Sequence, residues 1–265
     1  MKNLTMPLAL ALSAFSLLAQ TKATLNCDDH GGDRNRPGFC EMRESTVAAA
    51  GGVVSIDSRP NGGIALKGWD RNDVMVRAQV RASAPTEAAA HDLVRQVNVQ
   101  TAGAQIRADG PAPVQDRWWT VSYEVFVPAR SAAKLETVNG GISISDVTGD
   151  VGFTAVNGGV TLKRVGGNVH GQTKNGGVSI ELAGERWDGQ GMDVTTVNGG
   201  ISLKVPQNFS AQLEAETTNG GVNTDLPVVM PASGRREQRI TTQMGAGGAL
   251  LRLRTTNGGV NIKHL

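Results

Sequence analysis

The stretch Thr137-Val-Asn-Gly-Gly-Ile-Ser-Ile144 decides the fold, because closely similar stretches follow it at regular intervals of 18 residues. Ala155-Val-Asn-Gly-Gly-Val-Thr-Leu162 and Thr173-Lys-Asn-Gly-Gly-Val-Ser-Ile180 repeat its order of polar, small and apolar residues. Repetition at a fixed period is the signature of an architecture built from stacked units. The asparagines of the Asn-Gly-Gly triplets are Asn61, Asn139, Asn157, Asn175, Asn198, Asn219 and Asn257.

Each triplet is followed by Ile or Val, then by a small or polar residue, and then in nearly every case by an apolar one. This period of two predicts a short strand with one face buried and the other in water. Asn-Gly is a preferred site for positive φ, so we expect each triplet to form a structural corner that feeds a strand. A hairpin meander would alternate its turns between two ends of a sheet, whereas these phrases recur in one direction.

The pattern therefore predicts an all-β fold, a single-chain parallel β-solenoid (β-helix) of about 18-residue coils stacked ~4.8 Å apart, with one short helix near the N-terminal end. In such a stack the asparagines would form an amide ladder across coils. Asp146 and Arg164 occupy equivalent positions and should form an ion pair. The residue three after each Ile or Val alternates in charge along the chain from Lys163 through Glu181, Lys204 and Asp225 to Lys263. Opposite charges on neighbouring strands are favourable, so this order is typical of a stacked column.

Residues 1–23 are predicted to be a signal peptide, because Lys2 precedes an apolar run from Met6 to Ala19 that is too short for a comfortable membrane span. Cleavage is expected between Ala19 and Ala23. The rest of the sequence has no apolar segment of spanning length, so we expect no transmembrane segment in the mature chain. The predicted location is outside the cytoplasm: periplasm, cell surface or secreted.

Residues 24–45 form a polar segment in which Cys27 and Cys40 are predicted to close a disulfide. The alternative is a metal site formed by both cysteines, His30 and nearby aspartates, but the spacing fits no familiar zinc pattern. Lys and Arg number 26 against 24 Asp and Glu, so no broad basic field points to nucleic acid. No phosphate loop or metal-binding spacing appears, and no cofactor is expected.

The remaining chain divides near residue 130 into a β-rich part, residues 46–130, and the regular solenoid repeats, residues 131–265. Within the first part, residues 86–97 are predicted to be a helix, with Thr86 as N-cap and Glu87 in the first turn. Its apolar positions, Ala90, Leu93, Val94 and Val97, share one face. We expect this helix to cover an end or flank of the β core.

The sequence offers candidate residues both for catalysis and for binding. Asp188 and Asp193 beside Trp187 form the best cleft-like cluster for an acid-base pair, which glycoside hydrolysis would need. Trp69, Trp118 and Trp187 are candidates for stacking on sugars if exposed. Two arrays of hydroxyl side chains could form flat binding surfaces. One array comprises Ser143, Thr161, Ser179 and Ser202, and the other comprises Thr137, Thr173, Thr196, Thr217 and Thr255.

The sequence resembles the bacterial putative-adhesin family over about residues 46–265. The resemblance rests on the export signal, on a β-rich lead-in that contains Asn61-Gly-Gly-Ile-Ala-Leu66, and on the serial Thr-Val-Asn-Gly-Gly-Ile-Ser-Ile phrases. The resemblance implies an exported β-solenoid in the cell envelope or at the surface, with no established catalytic residues. The predicted function is a non-catalytic envelope protein, not an enzyme, that binds a polysaccharide or an envelope protein. The alternatives are a carbohydrate-active enzyme of the polysaccharide lyase or hydrolase type, and a periplasmic structural protein without ligand.

Overall fold

A computed structural model describes residues 24–28, 37–49, 51–101, 104–226 and 238–265. Within these ranges the protein consists mainly of β-strands, arranged in two ten-stranded sheets, with one short α-helix. The sheets, here called sheet A and sheet B, share one buried apolar core. The predicted signal peptide and His30 lie outside the described residues.

The strands of sheet A are β1 (Gly38–Ala48), β3 (Ile64–Trp69), β4 (Asp73–Ser83), β7 (Trp118–Pro128), β9 (Ile142–Ser145), β11 (Val160–Lys163), β13 (Val178–Glu181), β15 (Ile201–Val205), β17 (Val222–Thr224) and β20 (Val260–His264). The strands of sheet B are β2 (Val54–Asp57), β5 (Asn98–Gln100), β6 (Gln105–Asp109), β8 (Ala133–Asn139), β10 (Thr148–Asn157), β12 (Gly166–Asn175), β14 (Gly191–Asn198), β16 (Ala211–Asn219), β18 (Gln238–Met244) and β19 (Leu250–Asn257). The helix is α1 (Glu87–Gln96).

The repeating unit, here called a rung, is a strand of sheet B that ends at an asparagine, two glycines, and a strand of sheet A. Successive rungs pair in parallel and in register, so that Asn157 lies between Asn139 and Asn175. The apolar positions of the period-two pattern therefore stack in columns between the sheets. The column in sheet A includes Leu66, Ile144, Leu162, Ile180, Leu203 and Ile262, each 0% exposed. Burying one such side chain contributes roughly 1.5–3 kcal/mol, so the columns are the main stabilising element of the stack.

The order of the rungs in space differs from their order in the chain. The last rung, β19 and β20, lies between the rung of β14 and β15 and the rung of β16 and β17. Strand β18 pairs antiparallel with the outer side of β16. The C-terminal strands β19 and β20 therefore lie in the interior of their sheets, with a hydrogen-bonded strand on each side, and neither forms an open sheet edge.

This insertion makes the predicted alternation of charge wrong at one step. Lys263 pairs directly with Lys204 on the adjacent strand. Asp225, which follows Thr224 on the edge strand β17, therefore lies beyond Lys263 and not between the two lysines. Like charges that lie opposite each other are unfavourable, so the column contains one repulsive contact that the linear order concealed. The predicted ion pair between Asp146 and Arg164 is confirmed, with Nε to Oδ1 at 2.6 Å.

The predicted positive φ at the triplets is found at two of the seven, Gly62 and Gly258, so it does not explain the glycines in general. All seven triplet asparagines lie in the described ranges, and none of them has positive φ. Positive φ occurs at the first glycine of two triplets, Gly62 (148°) and Gly258 (158°), and at the opposite corner, at Asp146 (59°) and Arg164 (50°). The first glycine of a triplet is required because the backbones approach closely: a Cβ on Gly140 would lie 2.1 Å from the carbonyl oxygen of Gly62.

At the N-terminal end, sheet A continues as an antiparallel extension. Strand β7 pairs in parallel with β3 but antiparallel with β4, and β4 pairs antiparallel with β1. The predicted helix is confirmed as α1, in which the Thr86 hydroxyl accepts a hydrogen bond from the Ala89 N–H at 3.2 Å. The helix packs on β1 and β4, and the Arg43 guanidinium donates to the carbonyls of Val94 and Val97 at its C-terminal end. It therefore covers one end of the core, as its amphipathic face indicates.

Cys27 and Cys40 form the predicted disulfide, which ties the N-terminal segment to β1. Both sulfur atoms are bonded to each other, so neither is available as the thiolate ligand that the alternative metal site would need. The bridge also holds residues 24–28 near sheet A, where they cover a buried charge described below.

Removal of this disulfide by Cys27→Ser with Cys40→Ser is expected to lower the free energy of unfolding by about 3 kcal/mol, because the bridge restricts the unfolded chain. The two cysteines are 13 residues apart. Urea unfolding with and without reductant measures the effect. Reductant should destabilise the wild type and leave the double variant unchanged; equal stability of all samples would contradict a structural role.

Candidate functional site

The outer face of sheet A carries a straight column of polar side chains, here called the hydroxyl column. Its members are equivalent outward positions of successive rungs, and neighbours are direct partners on adjacent strands. In spatial order they are Ser143, Thr161, Ser179, Ser202, Asn261 and Asn223. All are exposed or half-buried, and adjacent members are separated by the strand spacing of ~4.8 Å. The structure thus places the first of the two predicted hydroxyl arrays on a solvent-accessible surface.

A shallow groove runs beside this column. It is lined by Thr161, Ser179 and Ser202 and by the second glycines of three triplets, Gly159, Gly177 and Gly200. Because these glycines have no side chain, the groove floor is backbone and the hydroxyl groups form one wall. Such a surface can accept an extended chain that offers hydrogen-bonding groups at intervals, but it has no deep pocket for a compact ligand.

Lysines border the same face two residues beyond the hydroxyl column. Lys163, Lys204 and Lys263 are exposed, with half-buried Glu181 between the first two. Since Lys204 and Lys263 are adjacent, their ammonium groups repel each other in the free protein. An anionic group bound between them would relieve this repulsion, while Glu181 beside Lys204 and Asp225 beside Lys263 carry the opposite charge.

The triplet asparagines form a hydrogen-bonded amide ladder along one corner of the stack. Each Nδ2 donates to the Oδ1 of the preceding rung at 2.8–2.9 Å. In spatial order the ladder runs through Asn61, Asn139, Asn157, Asn175, Asn198, Asn257 and Asn219. These side-chain amides form hydrogen bonds with each other, so the ladder fixes the register of the rungs.

The second hydroxyl array is not a surface, contrary to the prediction. Its threonines point inward and are at most 4% exposed. Each hydroxyl donates to a glycine carbonyl of a neighbouring rung, for example from Thr173 to Gly158 at 2.9 Å. The other members are Thr137, Thr196, Thr217 and Thr255. Period two places these residues on the core side of sheet B, where a hydroxyl must find an internal partner.

The three tryptophans proposed for ligand stacking have three different environments. Trp187 is 6% exposed and its indole N–H donates to the Gly167 carbonyl at 3.0 Å, so it is a core residue and the stacking prediction is wrong for it. Trp69 packs against Phe126 and lies under the Arg71 guanidinium, 4.3 Å from the ring centroid. Trp118, at 37% exposed, is the one of the three that presents an open surface.

The candidate acid-base cluster does not have the form of a catalytic pair. The Asp193 carboxylate is bound by Arg254 at 2.8 Å and by Arg252 at 3.5 Å on the neighbouring strand β19. Asp188 is exposed, and its backbone carbonyl accepts a hydrogen bond from Gly167. Among the described residues, no group of three or more His, Cys, Asp and Glu side chains could hold a metal ion. Also within those ranges, no helix is both long and apolar enough to cross a membrane.

Sequence reasoning missed a buried charged cluster on the outer face of sheet A near its N-terminal end. Glu124 on β7 is 1% exposed, and its carboxylate is bound by Lys67 at 2.7 Å and by Arg77. Thr24 adds a backbone and a hydroxyl hydrogen bond to the same carboxylate at 2.8 and 2.9 Å. Burial raises the pKa of Glu124, but the hydrogen bonds from Lys67, Thr24 and Arg77 outweigh it and lower the pKa to about 2. The outward position of Glu124 in a period-two strand gave no signal of burial.

Two stacked, largely parallel sheets with an open polar face define a solenoid-like β protein with a surface suited to binding. A family model described as Toastrack DUF4097 matches residues 122–263, which is more than half of the chain. The chain therefore belongs to the Toastrack DUF4097 family. No curated protein matches it.

Similar solved structures share low sequence identity with the chain. A "putative cell adhesion protein" from Clostridium sporogenes is 12% identical, with a TM-score of 0.44, covering 86% of this chain and 100% of its own. A "putative adhesin" from Bacteroides fragilis is 9% identical, with a TM-score of 0.37, covering 86% and 97%. A "putative lipid binding protein" from Parabacteroides distasonis is 9% identical, with a TM-score of 0.36, covering 84% and 96%.

Proposed function

We propose that this protein is a non-catalytic, exported protein of the cell envelope that binds an extended polysaccharide along the outer face of sheet A. The observation that carries the proposal is the groove beside the hydroxyl column, which continues across successive rungs. Polysaccharides present hydroxyl groups along an extended chain, and the groove offers Ser, Thr and Asn side chains in a matching linear array.

Two further observations support the ligand class and the location. The adjacent, exposed Lys204 and Lys263 favour a polymer with carboxylate or phosphate groups over a neutral one. The Cys27–Cys40 disulfide is typical of proteins that fold outside the cytoplasm. Binding without turnover fits the surroundings of Asp193, since arginine contacts to both of its carboxylate oxygens hinder a direct approach to a substrate.

The experiment is a retention assay on acidic and neutral insoluble polysaccharides at low and moderate salt, with new reducing ends measured in the same samples. Salt-sensitive retention on acidic polymers without new ends is the expected result. Release of sugar ends would favour the alternative of a carbohydrate-active enzyme. Retention on no polysaccharide would contradict the proposal and favour a protein partner or a purely structural role.

Substitution of Ser179 by Trp should weaken retention about tenfold or more, because a bulky ring in the middle of the groove excludes an extended ligand. Ser179 is exposed, so folding should be little affected. The matched control is Gln172→Trp, since Gln172 is exposed on the sheet B strand of the same rung. Equal retention by the two variants, at equal melting temperatures, would show that the groove is not the binding face.

A further inference from the structure

The N-terminal segment Thr24–Asp28 is held on the outer face of sheet A by three separate attachments. Thr24 and Leu25 donate backbone hydrogen bonds to the two carboxylate oxygens of Glu124, at 2.8 and 3.3 Å. The side-chain amide of Gln79 donates to the Asn26 carbonyl. Cys27 is joined to Cys40 on β1. So short a segment would not be ordered without such partners.

The first of these attachments has the chemistry of a site for an amino terminus. The Glu124 side chain is 1% exposed, and both its oxygens face donors. Its Oε1 accepts from both the backbone nitrogen and the hydroxyl of Thr24. A backbone amide already gives a charge-assisted hydrogen bond to this ionised carboxylate, and an ammonium group on the same nitrogen would add the attraction between two opposite full charges.

The sequence before Thr24 has the residues that export peptidases require. Ala23 and Thr21 are small residues at the first and third positions before Thr24, and they follow the apolar run of the predicted signal peptide. We propose that the precursor is hydrolysed between Ala23 and Thr24, and that the new Thr24 α-ammonium forms an ion pair with the buried Glu124 carboxylate. Water adds across the amide bond: its oxygen goes to the Ala23 carbonyl carbon, and the Thr24 nitrogen gains protons.

The site would bring three cationic groups together with two carboxylates, so water must solvate part of the ammonium charge. Lys67 and Arg77 contact Glu124, and Arg77 is shared with Glu44, 2.7 Å away and 55% exposed. Thr24 itself is exposed, so its ammonium keeps part of its hydration while it contacts the carboxylate. The segment would thus be fixed by an ion pair at Thr24 and by the disulfide at Cys27. This site shares no residue with the groove, so the inference and the proposed binding function stand or fall separately.

Two measurements test the inference on the full exported chain. Intact mass gives the N-terminal residue, and Thr24 is expected; any other first residue overturns the proposal. Periodate then serves as the probe, because it cleaves the Cα–Cβ bond of an N-terminal Thr, whose amine and hydroxyl are adjacent, and leaves an aldehyde that can be labelled. Since Glu124 binds both groups, the native protein should react about tenfold more slowly than the protein in denaturant.

The variant Glu124→Gln should raise the native oxidation rate toward the denatured rate, because the amide holds the ammonium less tightly. The control Glu44→Gln, which alters a neighbouring exposed carboxylate, should leave the rate unchanged. Equal rates for wild type and Glu124→Gln would overturn the ion pair. If Glu124→Gln does not fold, the test is the wild type alone. Equal periodate oxidation rates for the native and the denatured wild-type protein would also overturn the proposal.

Discussion

Gly158→Ala is expected to destabilise the protein by about 3 kcal/mol or more, although the substitution adds a single methyl group. A Cβ on Gly158 would lie 1.9 Å from the carbonyl oxygen and 2.6 Å from the carbonyl carbon of Gly140 on the preceding rung. Both atoms are backbone, so no side chain can move aside, and the rungs would have to separate. Since the same contact recurs along the corner, separation at one rung also disturbs the asparagine ladder.

The adjacent Gly159 is the matched control for this prediction. A Cβ at Gly159 would meet the Gly177 carbonyl oxygen at 3.5 Å, an ordinary contact, so Gly159→Ala should change stability by less than about 1 kcal/mol. Thermal unfolding should show a melting temperature lower by about 6–12 °C for Gly158→Ala. Similar melting temperatures for the two variants would show that close stacking does not explain the first glycine.

Trp187→Ala is expected to cost about 3–5 kcal/mol, because it leaves a large cavity in the core and an unpaired carbonyl at Gly167. Trp187 is 6% exposed and belongs to the buried apolar cluster between the sheets. Its indole N–H makes a 3.0 Å hydrogen bond to Gly167, which has positive φ at the corner of a neighbouring rung. Loss of the ring would therefore loosen both the core and this corner.

Trp118→Ala serves as the control, since Trp118 is 37% exposed at the start of β7. We expect less than about 1 kcal/mol from this change. Chemical denaturation of both variants measures the difference. A small effect at Trp187 would contradict its role in the core and would restore the possibility that the ring is available to a ligand.

The position of each side chain on an inner or outer face could be predicted from the sequence, because a strand alternates its faces strictly. The buried column through Ile144, Leu162 and Ile180 and the exposed column through Ser143 and Ser179 follow from this alternation. Thr173 shows where the reasoning failed: the same period places it inside, but its polarity suggested a surface. Its burial is possible because the Gly158 carbonyl accepts its hydroxyl.

The candidate site could be predicted only in part. The hydroxyl column was visible as a repeated Ser or Thr, but the pairing of Lys204 with Lys263 was not, because it depends on the insertion of the last rung. The burial of Glu124 was also hidden, since the segment that covers it is a hundred residues away in the chain. Trp187 looked like a loop residue because it follows the polar Gly184-Glu-Arg186, yet its ring enters the core.

The sequence by itself determined the repeating unit, its strands, the helix and the disulfide, because each depends on local periodicity or on a short separation along the chain. The tertiary structure alone decided the order of the rungs, the reason for the triplet glycines and the partners of buried polar groups. These features depend on which backbone lies next to which. Steric contact and the requirement that buried polar groups be paired act between rungs, and no local pattern of residues records their outcome.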